Sequence, residues 1–194
     1  MDVVIAKKKE FKIIEKLGDR SYKVKRKNKE YFLKKIGLEN DEFDKWIKDY
    51  KFLKTAGINM PKMRIIDKKE GIFVEDFIPG ETVFDVLLWR DLENDYFRNV
   101  FVNEFYEKQD NFSLNYEPIN WKLYNGKLYY LLHEYKRGFK EETSFTKRGI
   151  YYWFYTKEFA DYALNRGKKK DLSRLKNEYE TNREILKTVV QFHI

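Results

Sequence analysis

Several clusters of basic residues have the charge and the spacing to bind phosphate groups. Lys7 to Lys9 are consecutive, and segment 23–29 reads Lys-Val-Lys-Arg-Lys-Asn-Lys. Arg166 stands close to three further lysines at 168–170. Such patches attract a nucleic-acid backbone over long distances and in a salt-sensitive manner. The residues that we expect to carry such binding are Lys23, Lys25 and Arg26. The alternative is a solvated strand face and hairpin turn that binds no polyanion.

Other chemistries are restricted by what the chain contains. There is no cysteine and there are only two histidines, so disulfides and Cys-based metal sites are excluded and a zinc site is not expected. No apolar run reaches the roughly 18 residues of a membrane span, and the first residues do not resemble a signal peptide. We therefore expect a cytoplasmic protein without a membrane partner. The aromatic run 151–155 predicts buried packing or, alternatively, a stacking platform for bases.

The elements that must position these residues follow from hydrophobic spacing. The first 79 residues predict strands, then one helix, then a hairpin. The predicted strands are 11–17, 21–27, 30–36, 63–67 and 71–75, and the helix is 40–55. This order predicts an α+β fold with a five-stranded antiparallel sheet and one helix.

After Pro79 and Gly80 the pattern becomes mainly helical. Helices are predicted at 82–89, 91–108, 156–165 and from 171 onward, with a hairpin at 123–132. Thr156 is suited to cap its helix, because a threonine side chain can accept a backbone hydrogen bond at that position. Residues 80–194 are therefore expected to form a reduced, mainly helical second part.

Six segments stand in an order that is similar to a known family. They are Leu17-Gly18, Tyr31-Phe32-Leu33-Lys34-Lys35-Ile36, Gly57-Ile58-Asn59-Met60-Pro61-Lys62, Glu75-Asp76-Phe77-Ile78-Pro79-Gly80, Asn115-Tyr116-Glu117-Pro118-Ile119-Asn120, and Gly126 to Glu134. Together they resemble a small atypical protein-kinase-like family of the RIO, aminoglycoside-phosphotransferase and lipopolysaccharide-kinase type. The resemblance implies one continuous domain with an N-lobe at 1–79 and a C-lobe at 80–194. It also implies ATP, magnesium and phosphoryl transfer.

In this resemblance Lys34 takes the place of the lysine that meets the nucleotide phosphates. Asp49, on the following helix, is its candidate partner, and Gly18 is the one glycine left of the phosphate loop. Phe32 then lies where the adenine ring would pack and would crowd it. If Lys35 is the matching lysine instead, the crowding residue is Leu33. Lys34 could also be the charged end of an edge strand.

The segment joining the lobes would be Glu75, Asp76 and Phe77, whose counterparts in the family hold the adenine through backbone groups. We expect these three residues to contribute to a nucleotide site if one is present.

The catalytic positions of the family are changed in this chain. Asn115 stands where the catalytic aspartate is expected, and an amide cannot accept a proton. Asn120 keeps the metal-binding asparagine. The metal-binding aspartate falls at His133 or at Leu132, depending on which anchor sets the count. The glutamates that could substitute are Glu117 for the base and Glu134, with Asn120, for the metal.

These departures predict a pseudokinase, a kinase-like protein that lacks phosphotransfer and acts as a binding or scaffold protein for a protein partner. No cofactor is then expected. One alternative is an active atypical phosphotransferase that uses ATP, magnesium and Glu117 or Glu134. The other is the nucleic-acid-binding module described above.

Overall fold

The computed structural model describes residues 2–36, 42–89, 112–138, 149–153 and 156–166. The chain divides into two compact units. The first comprises residues 1–80 together with 129–134, and the second comprises 81–128 together with 135–194. The first unit is therefore built from two separate stretches of sequence.

The first unit is a six-stranded antiparallel sheet with one helix, which makes this part of the protein mixed α/β. The strand order is β1-β2-β3-β4-β6-β5. Its strands are β1 (Val3–Ala6), β2 (Lys9–Gly18), β3 (Ser21–Arg26), β4 (Lys29–Lys35), β5 (Met63–Asp67) and β6 (Ile72–Asp76). The five strands predicted from spacing are confirmed, but the predicted count of five is wrong because β1 was not foreseen.

Strand β1 pairs with β2 through a two-residue turn at Lys7 and Lys8. Both lysines have positive φ angles, 44° and 62°. Tight hairpins normally use Asn-Gly or Asp-Gly there, since these residues tolerate that backbone conformation. A Lys-Lys turn after a four-residue strand gives no such signal, which is why the sequence did not predict this hairpin.

The sheet is curled so that its two edges meet. Asp67, at the end of edge strand β5, accepts a hydrogen bond from the backbone N–H of Lys7 at 2.6 Å. Apolar side chains from both edges share one core on the same face of the sheet. That core comprises Val4, Ala6, Phe11, Val24, Leu33, Ile65, Ile72 and Val74. The opposite face of the sheet is left for the helix and for residues 129–134.

Helix α1 (Glu42–Thr55) buries Phe43, Ile47 and Leu53, in agreement with the predicted helical spacing. The chain turns away from the helix at Gly57, whose φ of 80° lies in the left-handed region. The N–H of Ile58 then bonds to the carbonyl of Leu53 at 3.0 Å, so the last carbonyls of the helix are satisfied.

The second unit contains short helices and short strands. Among its described residues the helices are α2 (Val83–Trp89), α3 (Lys157–Asn165) and the 3₁₀ helices Pro118–Asn120 and Gly149–Tyr152. Strand β7 (Phe112–Ser113) pairs with β10 (Lys136–Arg137), and β8 (Trp121–Tyr124) pairs with β9 (Lys127–Tyr130), whose last two residues belong to the first unit. The predicted 82–89 helix and 123–132 hairpin are confirmed. The hairpin turns at Asn125 and Gly126, whose φ angles are 49° and 70°.

The predicted cap of α3 is also confirmed, since Thr156 Oγ1 accepts a hydrogen bond from the N–H of Phe159 at 3.3 Å. The helices predicted at 91–108 and from 171 lie outside the described residues. Within the part of the chain that is described, no helix has the length and apolar character needed to cross a membrane.

Candidate functional site

Strands β4 and β6 place four large side chains on one face of the sheet. Lys34 lies directly opposite Phe73, and Phe32 lies opposite Glu75. Residues opposite each other in an antiparallel pair point to the same side, whereas the intervening Leu33 points to the other side, into the core. The predicted site residues Lys34, Phe32 and Glu75 are therefore brought together by the register of two strands.

Residues 129–134 bring His133 onto this same face. Tyr130, which is fully buried, anchors the segment through its backbone N–H, which bonds to the carbonyl of Asn59 at 2.9 Å. The ring of His133 lies 4.0 Å from that of Trp46 and 5.4 Å from that of Phe73, measured between centroids. Of the two candidates for the metal-aspartate position, His133 thus enters the cluster. Leu132 is half-buried beside it.

The centre of the cluster is a pair of buried polar groups. His133 Nε2 lies 3.1 Å from Glu75 Oε2, and the two side chains are 2% and 4% exposed. The separation suits a hydrogen bond, but the angles do not, and both nitrogens of His133 and Oε2 of Glu75 have no hydrogen-bond partner among the described residues. The pair therefore consists of adjacent polar groups without a satisfied hydrogen bond between them.

Burial disfavours the charged form of both members of the pair. Removal from water disfavours a charge, so it raises the pKa of Glu75 well above its ordinary value and lowers the pKa of His133 to about 3. The positive charge of Lys34 acts on both groups as a smaller effect, lowering the pKa of each. Lys34 is therefore close enough for its charge to act on both Glu75 and His133.

Asp49, the predicted partner of Lys34, has a partner on its own helix. Its Oδ2 accepts a hydrogen bond from Lys45 Nζ at 3.2 Å, one turn earlier in α1. The carboxyl group on which the charge of Lys34 acts is Glu75. The family resemblance predicted a backbone role for Glu75 and did not predict the contacts of its side chain. Phe73 and Glu75 are two residues apart on β6 and so face the same side of the sheet, which is the signal that could have indicated those contacts.

Gly18 ends strand β2 and has no special conformational role there. A Cβ added to it would lie 3.8 Å from the Cβ of Ser21, which is an ordinary contact distance. Its φ is not among the positive values that glycine tolerates best. An alanine would fit at this position, in contrast to the glycines over which a phosphate must pass closely.

Asp76 and Phe77 bind side chains of neighbouring strands. Asp76 accepts a hydrogen bond from Arg64 Nε at 2.8 Å and forms an ion pair with Lys29 at 2.9 Å. Burial raises the pKa of Asp76, but these two cations outweigh burial and hold it below its ordinary value. The ring of Phe77 lies 4.5 Å from Lys23 Nζ.

The catalytic-loop positions lie in the second unit and are held by local contacts. Asn115 Oδ1 accepts a hydrogen bond from the N–H of Glu117 at 2.9 Å, which forms a turn at the start of the 3₁₀ helix. Glu117 Oε2 lies 2.6 Å from Arg166 Nη2 and accepts a bond from the hydroxyl of Tyr162 at 3.3 Å. Arg166 and Tyr162 were not predicted as partners, and nothing in their spacing from Glu117 indicates the contact.

The two residues predicted to hold a metal are found in different units. Asn120 ends the 3₁₀ helix of the second unit, and Glu134 belongs to the first unit with an exposed side chain. Among the described residues, no three His, Asp or Glu side chains are close enough together to hold a metal ion.

The basic residues of the β3–β4 hairpin differ in their surroundings. Lys23 forms an ion pair with Glu30 at 3.0 Å, which neutralises part of its charge. Lys25 is exposed and lies directly opposite Lys12 of β2. Arg26 is half-buried at the end of β3.

Comparisons with known proteins give distant structural neighbours. No family model and no curated protein matches this chain. Among solved structures, WaaP in complex with acyl carrier protein has 11% identity and a TM-score of 0.46, covering 100% of this chain and 99% of that one. Choline kinase LicA from Streptococcus pneumoniae has 16% identity and a TM-score of 0.43, covering 89% and 77%. LicA in complex with AMP has 17% identity and a TM-score of 0.44, covering 88% and 75%. At these values the likeness carries no argument about what this chain binds or does.

Proposed function

We propose that this chain is a kinase-like protein that does not transfer phosphoryl groups and acts by binding a protein partner. The order of β2, β3 and β4, then α1, then β5 and β6 supports the kinase-like part of the proposal, together with Lys34 on the strand where that family has its lysine. The observation that carries the loss of activity is the cluster of Lys34, Glu75 and His133.

This cluster is unsuited to receive nucleotide phosphates. A triphosphate needs Lys34 and a divalent cation to offset its negative charges. Glu75 and His133 lie on the same face of the sheet as Lys34, and burial disfavours the charged form of each. His133 has no oxygen to offer to magnesium, and the ionised carboxylate that magnesium prefers is disfavoured at Glu75. Ionising Glu75 to bind the metal would oppose its raised pKa, so metal binding would be weakened by the same burial.

The position of the catalytic base supports the same proposal. Asn115 cannot accept a proton, and its side-chain oxygen is engaged by the N–H of Glu117. Glu117, the possible substitute, carries an ion pair with Arg166 that would have to break before its carboxylate could act as a base.

Thermal unfolding with ATP tests the proposal directly. A ligand that binds only the folded state stabilises it by about 2.7 kcal/mol at a hundredfold excess over its dissociation constant. We expect no increase of the unfolding midpoint with ATP at any magnesium or manganese concentration. A metal-dependent increase that disappears in Lys34→Met would place the nucleotide at this cluster and overturn the proposal.

The active alternative has its own test in Glu117 and Glu134. If either supplies the missing acid, Glu117→Ala or Glu134→Ala must abolish ATP turnover while the fold is retained. Turnover that survives both substitutions would exclude this assignment. Our proposal expects no ATP turnover above background in the unmodified protein.

A second candidate function, binding of a polyanion such as nucleic acid, is favoured by one observation. Lys12 and Lys25 lie directly opposite each other on neighbouring strands, and like charges in that position repel. A phosphate group between them would relieve this repulsion. Lys12→Ala with Lys25→Ala should then weaken binding and flatten its salt dependence, whereas Lys23→Ala should change it less because Lys23 is paired with Glu30. Binding that is independent of salt would exclude this function.

A further inference from the structure

The guanidinium group of Arg166 contacts the carboxylate of Glu117 and the ring of Tyr162. Arg166 follows the last residue of α3, and its guanidinium carbon lies 4.4 Å from the centroid of the Tyr162 ring. Its Nη2 lies 2.6 Å from Glu117 Oε2. The guanidinium therefore has an aromatic ring within stacking distance and a carboxylate as hydrogen-bond acceptor, which is the environment that best suits this group.

The aromatic surface extends beyond what Arg166 contacts. The ring of Tyr152 meets that of Tyr162 edge-on at 5.5 Å, and the ring of Tyr116 lies 5.6 Å from Tyr152. All three tyrosines are half-buried, so part of each remains accessible to solvent. Tyr152 belongs to the aromatic run 151–155, and the kinase-like proposal gives it no role.

The contacts of Tyr162 keep its hydroxyl protonated beside Glu117. The hydroxyl of Tyr162 donates a hydrogen bond to Glu117 Oε2 at 3.3 Å. Burial, reinforced by the negative charge of Glu117, raises the pKa of Tyr162, so the phenol remains a donor at physiological pH. Phe84 packs edge-on against Tyr162 at 5.3 Å and holds its ring in place.

Arg166 is not needed to end helix α3. The backbone N–H of Arg166 bonds to carbonyls at the end of the helix, and this contact does not depend on the side chain. The side chain is exposed, and exposed ion pairs and cation–π contacts are individually weak. The guanidinium of Arg166 can therefore be displaced without unfolding the helix.

We propose that Glu117, Tyr162 and Tyr152 form a binding site for a small organic cation that carries a guanidinium group, and that Arg166 occupies this site in the free protein. An incoming guanidinium would stack on Tyr162, donate to Glu117 and displace the Arg166 side chain. This site lies wholly in the second unit and does not depend on the Lys34 cluster, so it extends beyond the proposed function.

Titration with ethylguanidinium, followed by the NMR signals of the Glu117 amide and the tyrosine rings, tests this site. Removal of the internal competitor in Arg166→Ala should tighten binding about tenfold relative to the unmodified protein, because one exposed ion pair and one cation–π contact no longer compete. Adding Glu117→Gln to that variant should abolish binding. Tetramethylammonium should bind more weakly than ethylguanidinium, since it cannot donate a hydrogen bond to the carboxylate.

Arg64→Ala is the matched control. Arg64 is also paired with a carboxylate, Asp76, but in the first unit, so its removal should leave the signals at Glu117 unchanged. Equal affinities in the unmodified protein and Arg166→Ala, or binding that survives Glu117→Gln, would overturn the proposal. If Arg166→Ala perturbs the end of α3 in the NMR spectrum, Arg166→Gln retains the Cβ, Cγ and Cδ carbons without the charge and gives the same comparison.

Discussion

The buried pair of Glu75 and His133 makes a quantitative prediction about stability and pH. His133 has its pKa lowered from 6.5 to about 3 by burial. Because the pKa is lowered, the contribution of His133 to the free energy of unfolding is complete above pH 6.5 and is lost as the pH falls. In that range the unfolded chain binds a proton at His133 and the folded protein does not. At 1.36 kcal/mol per pH unit, the loss between pH 7 and pH 5 is about 2 kcal/mol.

Glu75 opposes this loss in the unmodified protein. Its raised pKa means that the folded protein holds a proton above pH 4.5, where the unfolded chain has released its own. Its contribution is therefore complete below pH 4.5 and is lost as the pH rises through its folded-state pKa. Above pH 4.5 and below pH 6.5 the two effects have opposite signs. The pH dependence of the unmodified protein should therefore be weaker than His133 alone would produce.

The assay is urea unfolding at pH 7 and pH 5 of two variants. Glu75→Gln removes the opposing carboxyl, so it should lose about 2 kcal/mol of unfolding free energy at pH 5 relative to pH 7 because of His133. Glu75→Gln combined with His133→Phe retains a buried ring and removes the titrating group, so that loss should disappear. The reasoning is refuted if the two variants lose the same free energy between these pH values.

Three further substitutions test local features of the fold by thermal or urea unfolding. Lys8→Gly should stabilise the protein by about 1 kcal/mol, because Lys8 has a left-handed φ that glycine adopts without strain; a decrease would contradict the turn geometry. Thr156→Ala should destabilise it by about 1 kcal/mol through loss of the α3 cap, and Thr156→Ser should restore most of that stability. Trp46→Ala should cost about 3 kcal/mol, since its ring stacks on Phe73 at 3.8 Å; a loss below about 1 kcal/mol would mean that this stack does not support the helix.

Much of the first unit was predictable because its strands have regular spacing and its turns carry ordinary signals. Helix α1 and strands β2 to β6 follow from periodicity. Strand β1 does not, because its four residues, Val3 to Ala6, are too short to show alternation and because Lys7 and Lys8 are unfavourable turn residues. Its pairing is stabilised by Asp67, sixty residues away. No local pattern can reveal a contact at that separation.

The candidate site was predictable in its positions but not in its partners. The family resemblance singled out Lys34 and His133, and the structure brings both to one face of the sheet. The resemblance did not reveal Glu75 as the buried neighbour of His133, because an acid in a strand is normally expected to face solvent. The contact of Glu117 with Arg166 also escaped prediction, since the two residues are separated by 49 positions.

The first unit includes residues 129–134, which follow residues 81–128 of the second unit in the sequence. This order affects how the first unit is completed during synthesis on the ribosome. After residue 80 leaves the ribosome, 48 more residues are synthesised before residue 129 appears. At about 5–20 residues per second, this delay lasts roughly 2–10 s. During that time the face of β6 that carries Phe73 and Glu75 lacks His133, and Asn59 lacks its bond from Tyr130. The nascent chain therefore exposes an incomplete apolar and acidic surface for seconds, and this is the interval in which a chaperone would have to protect it.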